Sequence, residues 1–322
     1  MKPKEKLSPN MFFNDWCSYW LEHTSYSRGL TTNAKYEEII LHVIQPAFTE
    51  KILSEIELQD IQNFINSLKV KGLRTSRVSM IRSLFNMIME DAVSHNLLNR
   101  NPAELAQSEK RTRKEIKILN DDDIKALLEL KNESVYVRLL LFTLALGLRI
   151  GEALGLSWNN IDLEKGNVTI SQQLTSYYKD NKTYNALLPY TKTRNDRTLP
   201  LPELAKELLI EQRKFSVENP DNLVFTEENG KAIIYATFYY QFNKLMERIG
   251  RTDITPHSLR HTTATTLLYN TKDILLVKEM LGHKSLNTTG HYPTVTLQER
   301  QEAAKAIDEY FAAYMKEVMV CS

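Results

Sequence analysis

Apolar residues recur at three- and four-residue intervals through most of the first hundred positions. Met11 to His23 (with Trp16 and Trp20), Thr32 to Phe48, Leu58 to Leu68 and Thr75 to Asn96 all keep that spacing. Side chains so spaced share one face of a helix, so four helices are predicted. In the last of them Val78, Ile81, Leu84, Phe85, Ile88 and Met89 make a stripe, and Arg74, Arg77 and Arg82 project elsewhere. Gly72 marks a break before this helix and Asn101-Pro102 a stop after it, since glycine and proline punctuate helices at those places. A small helical domain is expected over residues 1–102, and a linker over 103–118.

A second domain, 119–322, opens where Asn120 can cap a helix whose first turn holds Asp121 to Asp123. Acidic side chains there complement the positive end of the helix dipole. Ser134 to Gly147 reads as a buried helix, after which the period changes. Asn167 to Gln172 and Ala186 to Tyr190 alternate or favour β-branched and aromatic residues, the mark of short strands. Asn195-Asp196 lies between Leu187 to Thr191 and Arg197 to Leu201, so a hairpin turn is expected over Thr191 to Arg197. Helices then dominate to the end, among them Ile274 to Leu281 and Thr296 to Met319. Ile307, Tyr310, Phe311 and Tyr314 form a stripe on the last, fit to dock on its own domain or on a neighbouring subunit. The expected fold class is mainly α with a small β-sheet, an α+β arrangement.

Composition narrows this little. The chain of 322 residues is 42% hydrophobic, a length that suits two cores better than one. The longest apolar run, Leu139 to Leu148, is interrupted by Thr143 and Gly147 and is too short to span a bilayer. No apolar stretch follows the lysines of Met1 to Lys6, so no signal peptide or anchor is expected and the cytoplasm is the expected location. Cys17 and Cys321, at opposite ends, offer no disulfide framework or cysteine-rich zinc site. A net charge of +1 does not by itself point to nucleic acid. Its distribution is more telling. From Ile61 to Met89 there is no acidic residue, while Lys69, Lys71, Arg74, Arg77 and Arg82 fall inside that stretch, and Lys110, Arg111, Arg113 and Lys114 follow in the linker. These nine are the candidate DNA-binding residues.

The candidate chemistry is spread over four segments: Gly147 to Glu152 with Arg149, Thr191-Lys192-Thr193, His257-Ser-Leu-Arg260-His261, and Leu281-Gly282-His283 followed by Tyr292. Fixed donors aimed at the oxygens of a phosphodiester stabilise the charge that grows there during attack. Arg149 and Arg260 suit that task, being planar, bidentate and always charged. An isolated arginine is ordinarily a surface ion pair, but Arg149 follows a Gly147 break after a buried helix. Glu152 can hold it from three residues on, or be a solvated glutamate. Lys192 on a turn is otherwise an exposed lysine, with Arg194 and Arg197 as spare cations. His257 and Arg260 share a helix start one turn apart, fit to face a phosphate. His257 and His261 have a zinc-chelating spacing, yet no third ligand is evident, so no metal is expected. His283 alone reads as a cap or buried hydrogen-bonding residue, and Tyr292 is one of 15 tyrosines. A phenol needs nearby cations or a base before it attacks.

The order Arg149, Lys192, His257-X-X-Arg260, Gly282-His283 and then Tyr292 resembles the catalytic signature of the tyrosine recombinases of the phage-integrase type. Residues 11–102 likewise resemble that family's core-binding domain. The resemblance implies a catalytic set of Arg149, Lys192, His257, Arg260, His283 and Tyr292. It implies Tyr292 as nucleophile, Lys192 as general acid, a 3′-phosphotyrosyl intermediate, and no cofactor. It further implies double-stranded recombination sites as partners, a homo-tetramer on paired sites, and exchange of the C-terminal helix between subunits. The family's frequent histidine two places after the tyrosine is Thr294 here, and an arm-site domain before the helical domain is not seen. Integration or excision of a mobile element is the favoured role. The rivals are a chromosome-dimer resolving recombinase, a type IB topoisomerase-like enzyme and a DNA-binding regulator without catalysis.

Overall fold

In this computed structural model the described residues are 7–109, 115–179, 182–191, 196–282 and 297–320. The chain divides into two compact units. One comprises Met1–Lys114 with Tyr177–Tyr184, the other Glu115–Ser176 with Asn185–Ser322.

The first unit is helical because its sequence supplies apolar faces and the means to end each helix. Helices α1 (Phe13–Thr24), α2 (Leu30–Ile39), α3 (Leu58–Val70) and α4 (Thr75–Ser94) bury Trp16, Trp20, Ile39, Phe64, Ile81, Phe85 and Ile88 together. The buried Trp16 indole is satisfied by donating to the Ile88 carbonyl at 3.1 Å, as a buried N–H requires. The single helix expected over Thr32 to Phe48 is interrupted. A π turn at Ile40–Ile44 and a 3₁₀ turn at Gln45–Ala47 follow α2. Pro46 explains the stop, because its ring lacks an N–H and collides with the carbonyl four residues back.

The second unit begins with α5 (Asp121–Glu129), where the Asn120 side chain accepts from Asp123 N at 2.9 Å and Asp123 accepts from Asn120 N at 2.8 Å. Next comes α6 (Val135–Leu146), buried from Val137 to Leu146, which makes it the central rod of this core. The short α7 (Ile150–Leu154) leads into strands β1 (Ile161–Asp162), β2 (Asn167–Ile170), β3 (Gln173–Lys179), β4 (Lys182–Leu188) and β5 (Arg197–Pro200), of which Tyr177–Tyr184 is counted with the first unit. Helices α8 (Glu203–Lys214), α9 (Tyr235–Arg248), α10 (Pro256–Thr271), α11 (Ile274–Leu281) and α12 (Leu297–Val320) complete it.

Strand pairing corrects the expected hairpin. The chain on the two sides of Thr191 to Arg197 does not pair across that segment. Instead β4 pairs with β3 in a two-stranded sheet, and β5 joins an antiparallel three-stranded sheet of order β1-β2-β5. In that sheet Val168 faces Leu199 and Thr169 faces Thr198. Val168 and Leu199 are fully buried, whereas Lys182 to Asn185 of β4 are exposed. Register follows the buried face, and β5 finds its apolar match on β2. On α12, Ala303, Ile307 and Phe311 enter the core of their own unit in this single chain.

Candidate active site

The site is built around the C-terminal end of α11. Gly147 in the left-handed region (φ +61°) ends α6, and the chain turns at Arg149 into α7. This turn lets Glu152, in the first turn of α7, reach back to the residue that precedes the helix. Glu152 accepts from the Arg149 backbone N at 3.0 Å and from Arg149 Nη1 at 2.9 Å. Arg197, first residue of β5, approaches the same carboxylate with Nη1 at 3.2 Å from Oε1 and Nη2 at 2.8 Å from Oε2. Glu152 is fully buried, so its charge persists only because of these four donors. Burial pushes its carboxyl up, but Arg197 and then Arg149 outweigh that and hold it below the ordinary value.

These two arginines, together with Arg260, reach three successive carbonyls at the end of α11. Arg197 Nε donates to Met280 O at 3.3 Å, Arg260 Nη2 donates to Leu281 O, and Arg149 Nη2 donates to Gly282 O at 3.1 Å. A helix leaves its last carbonyls unsatisfied and carries partial negative charge there, so cations are favoured at that end. Gly282 lies at φ +66°, and a Cβ built on it would stand 3.2 Å from Arg197 Nη1. Both facts favour glycine at this position.

Arg260 lies on α10, whose start is set by Pro256 at the first turn and by Thr255, whose backbone N donates to Ser258 Oγ at 3.1 Å. Only 2% exposed, Arg260 also donates from Nη1 to Gly147 O at 2.8 Å. Its guanidinium is pushed down to about 9, by burial first and then by Arg149, with Glu152 opposing and Arg197 adding to the push. Three arginines and one carboxylate meet here, which leaves positive charge in excess. His257, one turn earlier, is exposed, with its ring 4.5 Å from that of His261. Burial and then Arg260 lower the His261 pKa. Among the described residues no group of three His, Cys, Asp or Glu is placed to hold a metal ion.

The structure thus brings Arg149 and Arg260 to one helix end, with His257 on the helix that carries Arg260. Lys192, His283 and Tyr292 lie outside the described residues, although Gly282 immediately precedes His283. Arg197, read from sequence only as a spare cation for a leaving oxygen, is committed to Glu152. A signal was available, because Arg197 and Leu199 point to the same side of a strand. With Leu199 turned inward, Arg197 had to be buried and paired.

The basic residues of the first unit separate into two kinds. Arg77 Nη2 lies 2.8 and 2.7 Å from the two Glu38 oxygens, and Lys69 pairs with Glu109 at 3.3 Å. Arg82 donates from Nε to Ala106 O at 2.6 Å and from Nη2 to Glu104 O at 3.1 Å. Lys71 and Arg74 are exposed. Lys110, Arg111, Arg113 and Lys114 lie outside the described residues.

The profile described as Phage integrase family matches residues 117–299, and that described as Phage integrase, N-terminal SAM-like domain matches residues 12–69. The chain is 27% identical to the Tyrosine recombinase XerC-like protein of Caldanaerobacter subterraneus subsp. tengcongensis, over 91% of this chain and 81% of that one. It is also 27% identical to the ICEBs1 integrase of Bacillus subtilis (strain 168), over 86% of this chain and 77% of that one. A structure of the Tn1549 transposon integrase in complex with transposon right end DNA superposes with a TM-score of 0.71 at 20% identity, covering 94% of this chain and all of that one. A lambda integrase tetramer bound to a Holliday junction superposes with a TM-score of 0.66 at 16% identity, over 86% of this chain and 75% of that one. At these identities the structural likeness is one of fold.

Proposed function

Because the chain belongs to the phage integrase family, matching its profile over residues 117–299, we propose that it exchanges DNA strands through Tyr292, with Arg149 and Arg260 clamping the scissile phosphate. Members cleave and rejoin DNA in site-specific recombination, and this chain is a recombinase of that kind.

The observation that carries the assignment of roles is the convergence of Arg149, Arg197 and Arg260 on one helix end, with the Glu152 carboxylate bonded to the first two. Such a place favours an anion whose charge increases during reaction. A phosphodiester under attack is one. In the proposed step the Tyr292 oxygen attacks phosphorus, the bond to the 5′ oxygen breaks, and the phosphate stays on the protein as a 3′-phosphotyrosine. Lys192 gives its proton to the departing 5′ oxygen, a contribution of about 10² to 10⁴ for general acids. His257 and His283 complete the donor set, with a base among them taking the phenolic proton. Bond energy is kept in the protein link, so rejoining to a partner strand needs neither ATP nor a metal ion. Residues 1–102 serve as the second DNA-binding domain, joined by the linker 103–118, and Lys71 and Arg74 are the exposed ones among its candidate DNA-binding residues.

The enzyme's partners are double-stranded sites held by a tetramer, by analogy with the lambda integrase tetramer on a Holliday junction, and it works in the cytoplasm. Integration or excision of a mobile element is the favoured role, supported by the likeness to the ICEBs1 integrase. A chromosome-dimer resolving role draws on the relatives named XerC and XerD. The test is a nicked suicide duplex. Wild-type protein should form a covalent adduct that maps to the peptide containing Tyr292, and Tyr292→Phe should bind equally well but form none. An adduct on another tyrosine would overturn the nucleophile, and absence of any adduct would overturn the activity. Sequencing the trapped DNA identifies the site, and recombinants from two duplexes separate a recombinase from a type IB topoisomerase-like enzyme.

A further inference from the structure

Glu152 has more cationic partners than pinning Arg149 requires. Its carboxylate takes a backbone N–H and one guanidinium N–H from Arg149, and two more N–H groups from Arg197 on the neighbouring β5. Arg197 is 7% exposed, with Nε on the Met280 carbonyl and its guanidinium packed against Gly282. A single side chain therefore links three parts of the site: the strand that follows the Lys192 segment, the carboxylate that orients Arg149, and the residue before His283.

We propose that Arg197 is a positioning residue for strand cleavage: by occupying the far side of Glu152 and the underside of Gly282, it holds Arg149 where its remaining N–H groups meet the scissile phosphate. The inference rests on Arg149 being a phosphate donor. If Arg197 is lost, a buried carboxylate keeps only the Arg149 donors. It then draws the other N–H groups of Arg149 toward itself, because an unsatisfied buried charge takes any donor within reach. Those are the groups a phosphate needs. The end of α11 loses one of its three capping cations at the same time. Lysine at this position supplies a single point of donation and cannot reproduce the paired contact.

The experiment uses the full chain and a nicked duplex bearing the trapped site, made once with the native scissile phosphodiester and once with a methylphosphonate there. Methylphosphonate lacks one charged oxygen and depends less on a correctly placed Arg149. Arg197→Gln should bind DNA like wild type yet form adduct on the native phosphate about 100-fold more slowly, the scale of a misplacement near 1 Å. On methylphosphonate its loss should be about tenfold smaller, in parallel with Arg149→Ala, since both remove stabilisation of the same oxygen charge. Arg197→Lys should fall between wild type and Arg197→Gln, and it decides the question if Arg197→Gln does not melt cooperatively. Equal losses on both substrates, or a rate unchanged from wild type, would overturn the positioning role while leaving the active-site reading in place. Arg149→Ala without preference between the substrates, or no wild-type adduct, would overturn that reading and this inference with it.

Discussion

At the residue scale the site depends on one buried charge. Glu152 is the carboxylate bonded to both Arg149 and Arg197, and those cations hold its pKa below the ordinary value of 4.5 against the opposing effect of burial. A carboxyl depressed by folding stabilises the fold fully above its open-chain pKa. That contribution is lost as pH falls through the folded value. Glu152→Gln should therefore lower the thermal midpoint strongly at neutral pH, by a loss of about 3–5 kcal/mol, because it leaves buried cations uncompensated. The gap between variant and wild type should narrow in melts run below pH 4.5, where the open chain takes up the proton that folded Glu152 still refuses, and close as pH falls through the lower folded value. A gap independent of pH would mean that the carboxylate contributes only its shape and hydrogen bonds.

At the scale of elements, α4 shows that a run of basic residues need not be a single binding face. Arg82 donates to the carbonyls of Glu104 and Ala106, tying the segment that follows α4 back onto that helix. Charge-assisted bonds of this sort each contribute about 1.5–3 kcal/mol. Arg82→Ala should accordingly lower the thermal midpoint of the first unit and leave the salt slope of DNA binding unchanged. Arg74, exposed at the start of α4, should behave in the opposite way. Arg74→Ala should leave the melt alone and reduce the slope of log K against log salt by about 0.9, the release from one phosphate contact. Titrations at four or five salt concentrations beside thermal melts distinguish the two. If Arg82→Ala flattens the slope without changing the melt, its carbonyl contacts give way to DNA.

For the whole molecule, charge supplied by arginines replaces what a metal nuclease obtains from its ions. Adduct formation on the suicide duplex should therefore continue undiminished in excess chelator. Loss restored by zinc would return attention to His257 and His261. On two cognate duplexes, sedimentation should find four protomers. Removing 313–322, the end of the chain, should test whether α12 serves assembly as well as its own core, where Ile307 and Phe311 already lie. Cleavage retained with tetramers lost would assign that end to assembly, and tetramers formed without it would exclude that role.

Most helix positions, and Arg149 and Arg260 as residues of one place, could be read along the chain, because periodicity, caps and motif spacing are local properties. Asn120 announced α5 for that reason. Other features needed the folded chain. Strand partners depend on which apolar faces meet, so Thr191 to Arg197 read as a hairpin although β5 pairs with β2. Pro46 ended α2 early, although the apolar spacing ran on to Phe48. The commitment of Arg77, Arg82 and Arg197 to carboxylates and carbonyls 22 to 83 positions away was likewise invisible. Charge along a sequence states what a residue can bind. Only tertiary structure decides which partner reaches it first, because a buried guanidinium must be satisfied by whatever the fold places beside it.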